Sequence, residues 1–436
     1  MLIAILLTIF FFFTAYGTNV ESQIDPEVDV VEQNLSDAVP EEEDYDHAGE
    51  DINIDEMATP TYNSPLEREV NNFIEAYRDD IKGLSLRVFS LDDMILEIDY
   101  GYANTRTELA VCEETVWGWG SVTKLLVWVS AFQLYERGEL DLHADIFTYI
   151  NGEYFLGIVY PVTMHHLINH TSGLAGHAVD MALMDEDIPT LEEVLKNAYG
   201  EEIGIHAQHS RPGENFFYSN FGTAMAAYVV QQASGLPFYE YVHENIFMPL
   251  GMYQTALLPD LSDNMWVDSQ RDNMQTYSAT GGIALNRRQD IIYPAGGAVG
   301  TISDMVKFGR ALFSNGNGAY ALFENPKTLY SIYPSWEEIL NIPHSPMDMG
   351  GVFISFFNGF VVTVPYGNDN VVPSRVIGHS GAFNGSFTYF FINIDEGIGM
   401  IVNENRFGGM LMSSDDFFSF FINEIPRLAL GVEDYD

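Results

Sequence analysis

The sequence WGWGSVTKLLVW occupies residues 117–128 and places a serine, Ser121, three residues before a lysine, Lys124. The apolar residues that follow predict a helix over Ser121–Arg137, closed by Gly138. Positions i and i+3 of a helix face the same side, so a hydroxyl and an amine come within hydrogen-bonding reach. Serine needs a base to take its proton, and a lysine can serve if burial lowers its pKa well below about 10.4. The pair therefore suggests a nucleophile and its partner, although a capping serine beside a solvated lysine has the same spacing.

A second segment, RPGENFFYSNFG at residues 211–222, carries Tyr218 and Asn220 at the start of a predicted helix, Asn220–Ser234. A tyrosine beside a lysine can pass protons, and an asparagine can orient a substrate amide. Taken alone, the segment is better explained by a core tyrosine followed by a helix-capping asparagine.

A third segment, GHSGA at residues 378–382, lies on a predicted strand near the end of the chain. Glycine at position 381 lets a substrate approach the strand backbone, and His379 adds an imidazole. Taken alone, it is explained by a strand-end histidine beside a turn glycine.

Together, in this order, the three segments resemble the S-x-x-K, Y-x-N and H-x-G motifs of the serine β-lactamase-like hydrolases. This family includes class C β-lactamases, D-alanyl-D-alanine peptidases, D-aminopeptidases and related esterases. The resemblance covers about residues 66–430, and three more segments support it: HLINHTSGL (166–174), PLGM (249–252) and AGG (295–297).

The resemblance implies acyl transfer. Ser121 is then the nucleophile, and Lys124 and Tyr218 exchange protons with it and with the leaving group. The sequence leaves open which of these two is the base, because coupled groups share their titrations. The main-chain N–H groups of Ser121 and Ala382 form the implied oxyanion hole. No cofactor and no metal are required.

The same resemblance assigns substrate contacts to Asn220, Gly381 and Ala382. His379 replaces the lysine that is usual in the family, which removes a fixed positive charge and weakens the case for a β-lactam carboxylate as the natural ligand. The histidine either supports the Lys124–Tyr218 network or contacts the substrate.

Other motifs compete with this interpretation. Ser262-Asp263-Asn264 spells a class A β-lactamase motif and Lys327-Thr328 begins a K-T-G, but both lie in stretches that predict surface loops. His166 and His170 have the spacing of metal ligands on a helix, yet no third ligand accompanies them. Buried or capping histidines are the preferred interpretation.

The fold class follows from the order of the patterns. Strand-like segments stand at Leu84–Phe89 and Met94–Tyr100, helical patterns fill residues 140–290, and strand-like segments return at Gly351–Val364, Arg375–His379, Ser386–Ile394 and Gly399–Asn403. Helices are predicted at Leu66–Asp80, Thr163–Asn169, Leu191–Ala198 and Asp415–Leu430. We therefore expect an α/β (α+β) fold in which an antiparallel sheet, built from both termini and flanked by helices, stands beside a mostly helical lobe. This is the β-lactamase/transpeptidase-like arrangement.

The amino-terminal region predicts export. Residues 1–17 read as a signal segment, whose apolar run Leu2–Ala15 is shorter than the roughly 20 residues of a bilayer span. Residues 18–64 form an acidic, disordered linker, and 65–436 form the catalytic domain. We expect a secreted or extracytoplasmic protein, with cell-surface anchoring through an uncleaved signal segment as the alternative.

The charge excludes some partners. The chain has 63 acidic and 18 basic residues, a formal net charge of −45. Such a surface repels nucleic acid and anionic membranes and favours neutral or cationic ligands. The expected partner is a small-molecule or peptide substrate: an ester, an amide or a cell-wall peptide. A catalytically silent penicillin-binding-like protein that binds cell-wall peptide is the competing hypothesis, and the sequence does not choose between esterase, peptidase and β-lactamase.

Overall fold

Residues 83–89, GLSLRVF, form a strand in which every residue is buried. In the computed structural model this strand lies inside a large sheet that is covered on both faces. The structure describes residues 64–174, 181–183, 189–199, 208–278, 282, 284–285, 288–314, 321–325, 327–328, 332–333, 335, 347–348, 352–365, 375–406, 425–429 and 431. All of them belong to one unit, Ser64–Asp436. The predicted signal segment and nearly all of the predicted linker lie outside the described residues, so the domain boundaries stay predictions.

The strands of the described residues are β1 (Gly83–Phe89), β2 (Met94–Asn104), β3 (Leu109–Ala110), β4 (Val116–Gly118), β5 (Met181–Leu183), β6 (Thr255–Ala256), β7 (Arg288–Asp290), β8 (Val299–Thr301), β9 (Met347–Asp348), β10 (Val352–Phe357), β11 (Phe360–Pro365), β12 (Val376–Phe383), β13 (Ser386–Asn393) and β14 (Ile398–Glu404). Nine of them form one antiparallel sheet in the order β3-β2-β1-β14-β13-β12-β11-β10-β9. The amino-terminal strands thus pair directly with the carboxy-terminal ones, as the sequence predicted.

The α-helices of the same residues are α1 (Pro65–Ala76), α2 (Lys124–Glu136), α3 (Met164–Ile168), α4 (Leu191–Tyr199), α5 (Asn220–Ser234), α6 (Phe238–Val242), α7 (Met248–Leu250), α8 (Met265–Ser269), α9 (Ile302–Phe313) and α10 (Ile425–Ala429). Short 3₁₀ turns occupy Gly120–Thr123, Ile146–Thr148, Gly152–Tyr154, Arg271–Asn273 and Tyr293–Ala295, and a π-helical turn spans His243–Phe247. Within the described part of the chain, no helix combines the length and the apolarity needed to cross a bilayer.

The two faces of the sheet bury alternate residues. On β13, Phe387, Tyr389 and Phe391 join a cluster that includes Val70 of α1, whereas Phe390 joins the main core. This alternation follows from the two-residue period of a strand. Because both faces of the sheet are covered, all residues of β1 are buried, including Ser85 and Arg87, which pair with Asp99.

Helix α2 is the centre of the helical lobe. All of its residues from Lys124 to Leu134 are buried, and it packs against α5, whose first eleven residues are also buried. A helix that is apolar on all sides must be enclosed by other elements. The predicted α/β (α+β) fold class, with a sheet from both termini and a helical lobe, is confirmed.

Two predicted elements differ in detail. The segment Gly351–Val364 is two strands, β10 and β11, joined at Asn358-Gly359, where φ is 48° and 84°. Asn-Gly adopts positive φ readily and makes a two-residue hairpin turn. The predicted helix Ser121–Arg137 begins instead with the 3₁₀ turn Gly120–Thr123. Its hydrogen bonds include one from the Thr123 hydroxyl to the Gly120 carbonyl, at 2.7 Å.

Candidate active site

The serine and the lysine lie at the junction of the 3₁₀ turn with α2. Three residues complete a 3₁₀ turn, so side chains at i and i+3 are eclipsed. Lys124 Nζ accordingly lies 3.1 Å from Ser121 Oγ. Ser121 retains 6% of its accessible surface and Lys124 none. The hydroxyl therefore sits at the edge of the interior, with the amine directly behind it.

The environment of Lys124 favours the neutral amine. Nζ donates a hydrogen bond of 2.5 Å to the Ala295 carbonyl and lies 5.0 Å from the centre of the Tyr218 ring. Burial lowers the pKa of Lys124 to about 7, and the charge of the Asp290 carboxylate opposes this shift. A large fraction of the lysine is thus uncharged near neutral pH, as a base requires.

Tyr218 reaches the same point from the loop before α5. Ser219 caps this helix by accepting the Gly222 N–H at 2.8 Å, which fixes the orientation of the preceding residue. Burial raises the pKa of Tyr218 above its usual value, against the smaller effect of a hydrogen bond with the Ser121 side chain. The phenol is therefore protonated in the resting site.

His379 approaches from β12, with its ring centre 6.1 Å from that of Tyr218. Its Nδ1–H donates to the Ser380 carbonyl at 2.5 Å, and Nε2 has no hydrogen-bond partner among the described residues. Burial, followed by the charge of Lys124, lowers the pKa of His379 to about 3. This histidine is a neutral imidazole and does not replace the positive charge of the usual lysine.

Two glycines bring β12 against the turn that carries Ser121. A β-carbon on Gly381 would lie 2.0 Å from the Trp119 carbonyl oxygen and 2.9 Å from the Ser121 nitrogen. A β-carbon on Gly120, whose φ is +53°, would lie 2.4 Å from the Ala382 nitrogen. Only glycine permits this approach, which sets the main-chain nitrogens of Ser121 and Ala382 on neighbouring segments.

Gly381→Val is expected to lower kcat/KM by at least about a hundredfold, because the side chain must push β12 away from Ser121 and spoil one oxyanion donor. Steady-state kinetics on an activated ester, with circular dichroism as the fold check, measures this. Gly397→Ala is the control: a β-carbon there meets nothing within 4 Å, and the strain at its φ of +69° should lower stability without touching the β12 contact with the Ser121 turn. Equal activity in the two variants would contradict the assigned role of the β12 contact.

Asn220 is the first residue of α5 and is 7% exposed. Its Oδ1 is buried and has no hydrogen-bond partner among the described residues. The structure thus brings Ser121, Lys124, Tyr218 and His379 into one cluster, and it sets Gly381 against the Ser121 backbone.

The sequence interpretation gave His170 no part in this cluster. Its Nδ1 accepts the Ser219 N–H at 3.2 Å, and its ring lies 4.4 Å from that of Tyr218. Burial and the charges of Lys124 and His379 lower its pKa well below the usual value. The prediction of a buried histidine is confirmed, and the contacts show that it supports the loop of Tyr218. His166 is a capping residue, as predicted, because it forms a capping box with Thr163.

Asp290 is the second residue that sequence reasoning missed. It ends β7, is 2% exposed and acts on the charge of Lys124. Only the folded chain brings the two near each other, since 166 positions separate them and no spacing predicts this proximity.

The competing motifs lie elsewhere. Asn264 caps α8, and the Asp263 carboxylate accepts the N–H groups of Leu257 and Leu258. The predicted surface loop is therefore wrong at Asp263, which is buried because its carboxylate holds this backbone in place. The Lys327 N–H donates to Asn325 Oδ1 in an exposed turn, as predicted. The described residues hold no cluster of three or more His, Cys, Asp or Glu suited to a metal.

Comparison with known proteins decides the family. The family model described as Beta-lactamase matches residues 70–419, most of the chain. The chain belongs to the beta-lactamase family. The family predicted from the three motifs is therefore confirmed. Over 328 residues, this beta-lactamase family member is 23% identical to Penicillin-binding protein 4* of Bacillus subtilis (strain 168), covering 72% of this chain and 66% of that protein.

Solved structures of similar fold include two enzymes. The beta-lactamase/D-alanine carboxypeptidase from Pseudomonas syringae has a TM-score of 0.61 at 16% identity, over 85% of this chain and 98% of that one. The D-amino acid amidase from Ochrobactrum anthropi SV3, complexed with L-phenylalanine amide, has a TM-score of 0.61 at 18% identity, over 84% and 98%. Identities this low show a shared fold. The beta-lactamase family chain spans 37–66% of the length of three penicillin-binding proteins that it matches.

Proposed function

We propose that this protein is a secreted serine hydrolase of the class C β-lactamase type that cleaves an ester or amide through an acyl-enzyme. The observation that carries the proposal is the fully buried Lys124 amine, 3.1 Å from the Ser121 hydroxyl. Burying a lysine amine costs free energy, so a lysine that is kept in a core points to a function. Its position beside Ser121, on a turn that packs against Gly381 of β12, supports a catalytic function.

In the first step, Ser121 Oγ attacks the substrate carbonyl carbon while its proton moves to Lys124 Nζ. The electron pair of the C=O bond moves to the oxygen, which the N–H groups of Ser121 and Ala382 stabilise. Lys124 is the preferred base because its pKa is lowered to about 7, whereas that of Tyr218 is raised. This resolves, as a proposal, the choice that the sequence left open.

In the second step, the tetrahedral intermediate collapses and the bond to the leaving group breaks. The protonated Tyr218 is suited to deliver a proton to the departing oxygen or nitrogen and to recover one from Lys124. Water then attacks the acyl-enzyme, and Lys124 and Tyr218 transfer protons in the opposite direction, so that the acid is released and Ser121 regains its proton. Asn220 orients the acyl amide where the substrate has one, and His379 accepts a hydrogen bond through Nε2.

The charge of the site supports neutral or cationic substrates. His379 is uncharged, and the whole chain has a formal charge of −45. A substrate carboxylate finds no fixed cation at the position of the usual lysine, so esters, amino acid amides and uncharged peptides are preferred over β-lactams. The amidase and the carboxypeptidase of similar fold suggest D-amino acid amides and D-alanyl peptides as amide candidates, and the amides are preferred because they lack the terminal carboxylate of a D-alanyl peptide.

A parallel assay tests the proposal. We expect turnover of p-nitrophenyl acetate, weaker turnover of a D-amino acid amide, and the slowest turnover of a D-Ala-D-Ala peptide and a chromogenic cephalosporin. The physical reason is the neutral His379, which leaves the carboxylate of the peptide or the cephalosporin unpaired. A cephalosporin turned over faster than the ester would contradict the assignment of substrate class.

The competing hypothesis is a silent protein that binds cell-wall peptide. It requires no turnover of any substrate and no reaction with a fluorophosphonate, while a peptide ligand still binds. Export is tested separately: fractionation of expressing cells should place the protein outside the cytoplasm, and a wholly cytoplasmic protein would refute that part of the proposal.

A further inference from the structure

Asp290 holds a fixed position beside the nucleophile turn. Its Oδ1 accepts the Ile292 N–H at 3.0 Å, and the residue is 2% exposed. A β-carbon on Gly296 would lie 3.0 Å from Asp290 Oδ2 and 3.7 Å from the Gly120 carbonyl carbon. The carboxylate is therefore separated by one glycine from the backbone that enters Ser121.

The same glycine connects Asp290 to the lysine. Gly296 follows Ala295, whose carbonyl accepts the hydrogen bond of Lys124 at 2.5 Å. The carboxylate thus lies beside the short segment that holds the amine. Opposite charges that are both withdrawn from water interact strongly, because little solvent screens them.

Other titratable groups face Lys124 from each packed element: Ser121 on its own turn, Tyr218 before α5, His170 after α3 and His379 on β12. Burial keeps Tyr218 protonated and both histidines neutral, by raising the pKa of the phenol and lowering those of the imidazoles. Among the groups around Lys124, Asp290 is the one whose charge acts to raise the pKa of this lysine.

We propose that Asp290 is a positioning residue whose carboxylate stabilises the ammonium formed on Lys124 when this amine takes the proton of Ser121. The inference rests on the proposed function. The proton moves from Oγ to Nζ, and no proton moves to or from Asp290. Aspartate has the same electrostatic role towards histidine in the Ser-His-Asp triad, but here it acts across a glycine and without direct contact.

Asp290→Asn removes the charge and keeps an oxygen for the Ile292 N–H. We expect the wild-type rate on p-nitrophenyl acetate to rise with pH through about 7, the pKa of Lys124. Loss of a nearby negative charge disfavours the ammonium and lowers that pKa, so the variant's acid limb should move to lower pH by about one unit. Its plateau should fall by up to about tenfold, since a one-unit loss of basicity lowers a general-base rate by at most that factor.

Two variants separate charge from packing. Asp290→Glu keeps the charge and should keep the acid limb near that of the wild type. Asp304→Asn alters another buried carboxylate, which pairs with Lys307 at 2.7 Å and is not among the charges that act on Lys124. It should lower stability without moving the limb. If Asp290→Asn does not fold, Asp290→Ser removes the same charge with a smaller side chain.

If the acid limb of the rate profile does not move in Asp290→Asn, or moves equally in Asp304→Asn, the inference is overturned. The proposed function still stands in that case, provided that the wild type is active. A wild type with neither turnover nor fluorophosphonate labelling overturns both. Labelling rates between pH 5 and 8.5 give a second readout that does not depend on the natural substrate.

Discussion

Ser121→Ala is expected to lower kcat/KM on an activated ester by at least about a thousandfold and to abolish labelling by a fluorophosphonate. Without Oγ no acyl-enzyme can form, whatever the rest of the site contributes. What remains should be the weak catalysis of the oxyanion donors acting on water. Stopped-assay kinetics and a fluorescent fluorophosphonate measure the two effects.

Ser130→Ala is the matched control. Ser130 is a buried serine on the same helix, and its hydroxyl donates to the Leu126 carbonyl at 2.7 Å, away from the cluster. We expect this variant to keep its activity and its labelling. Undiminished labelling of Ser121→Ala would show that the nucleophile is another residue.

Lys124→Met is expected to have two opposite effects. Activity should fall by roughly 100–10,000-fold, since the general base is lost. Stability should rise at pH 6, because the wild type must either bury an ammonium or release its proton. The pKa of Lys124 is lowered from 10.5 to about 7 on folding.

The pH window follows from this direction. Between about 7 and 10.5 the unfolded chain binds the proton and the folded chain does not, so raising the pH stabilises the folded wild type. The destabilisation caused by burying Lys124 is fully present below pH 7, where it is on the order of a few kcal/mol, and it disappears towards pH 10.5. The stability advantage of Lys124→Met should therefore shrink as the pH rises.

Denaturant unfolding of both proteins at pH 6, 8 and 10 measures this difference. Lys196→Met controls for the loss of a lysine, because that side chain pairs with Glu192 at the surface of α4 and should leave activity unchanged. If the stability difference between Lys124→Met and the wild type stays constant from pH 6 to pH 10, the lowered pKa of Lys124 is contradicted.

Local spacing was the most informative part of the sequence. The Ser121–Lys124 contact depends only on the geometry of one turn, so three residues of separation were enough to predict it. Even the unexpected 3₁₀ turn preserves it, since i and i+3 still share a face. Gly381 was also accessible to reasoning, because a strand that receives another backbone needs a residue without a side chain.

Long-range contacts were not accessible in this way. Asp290 reaches Lys124 through Gly296, and nothing in the stretch before Tyr293 distinguishes this aspartate from the many others of an acidic chain. The stacking of His170 on Tyr218 likewise depends on how two loops pack. The turn at Asn358-Gly359 could have been found, because Asn-Gly between apolar runs is a strong hairpin signal.

The most direct measurement is peptide mass mapping of the wild-type protein after reaction with a fluorophosphonate or a slowly deacylating ester. We predict a single covalent adduct on the peptide that contains Ser121, formed faster as the pH rises through about 7. An adduct on a different residue, or none on a protein that still hydrolyses the ester, would contradict the account.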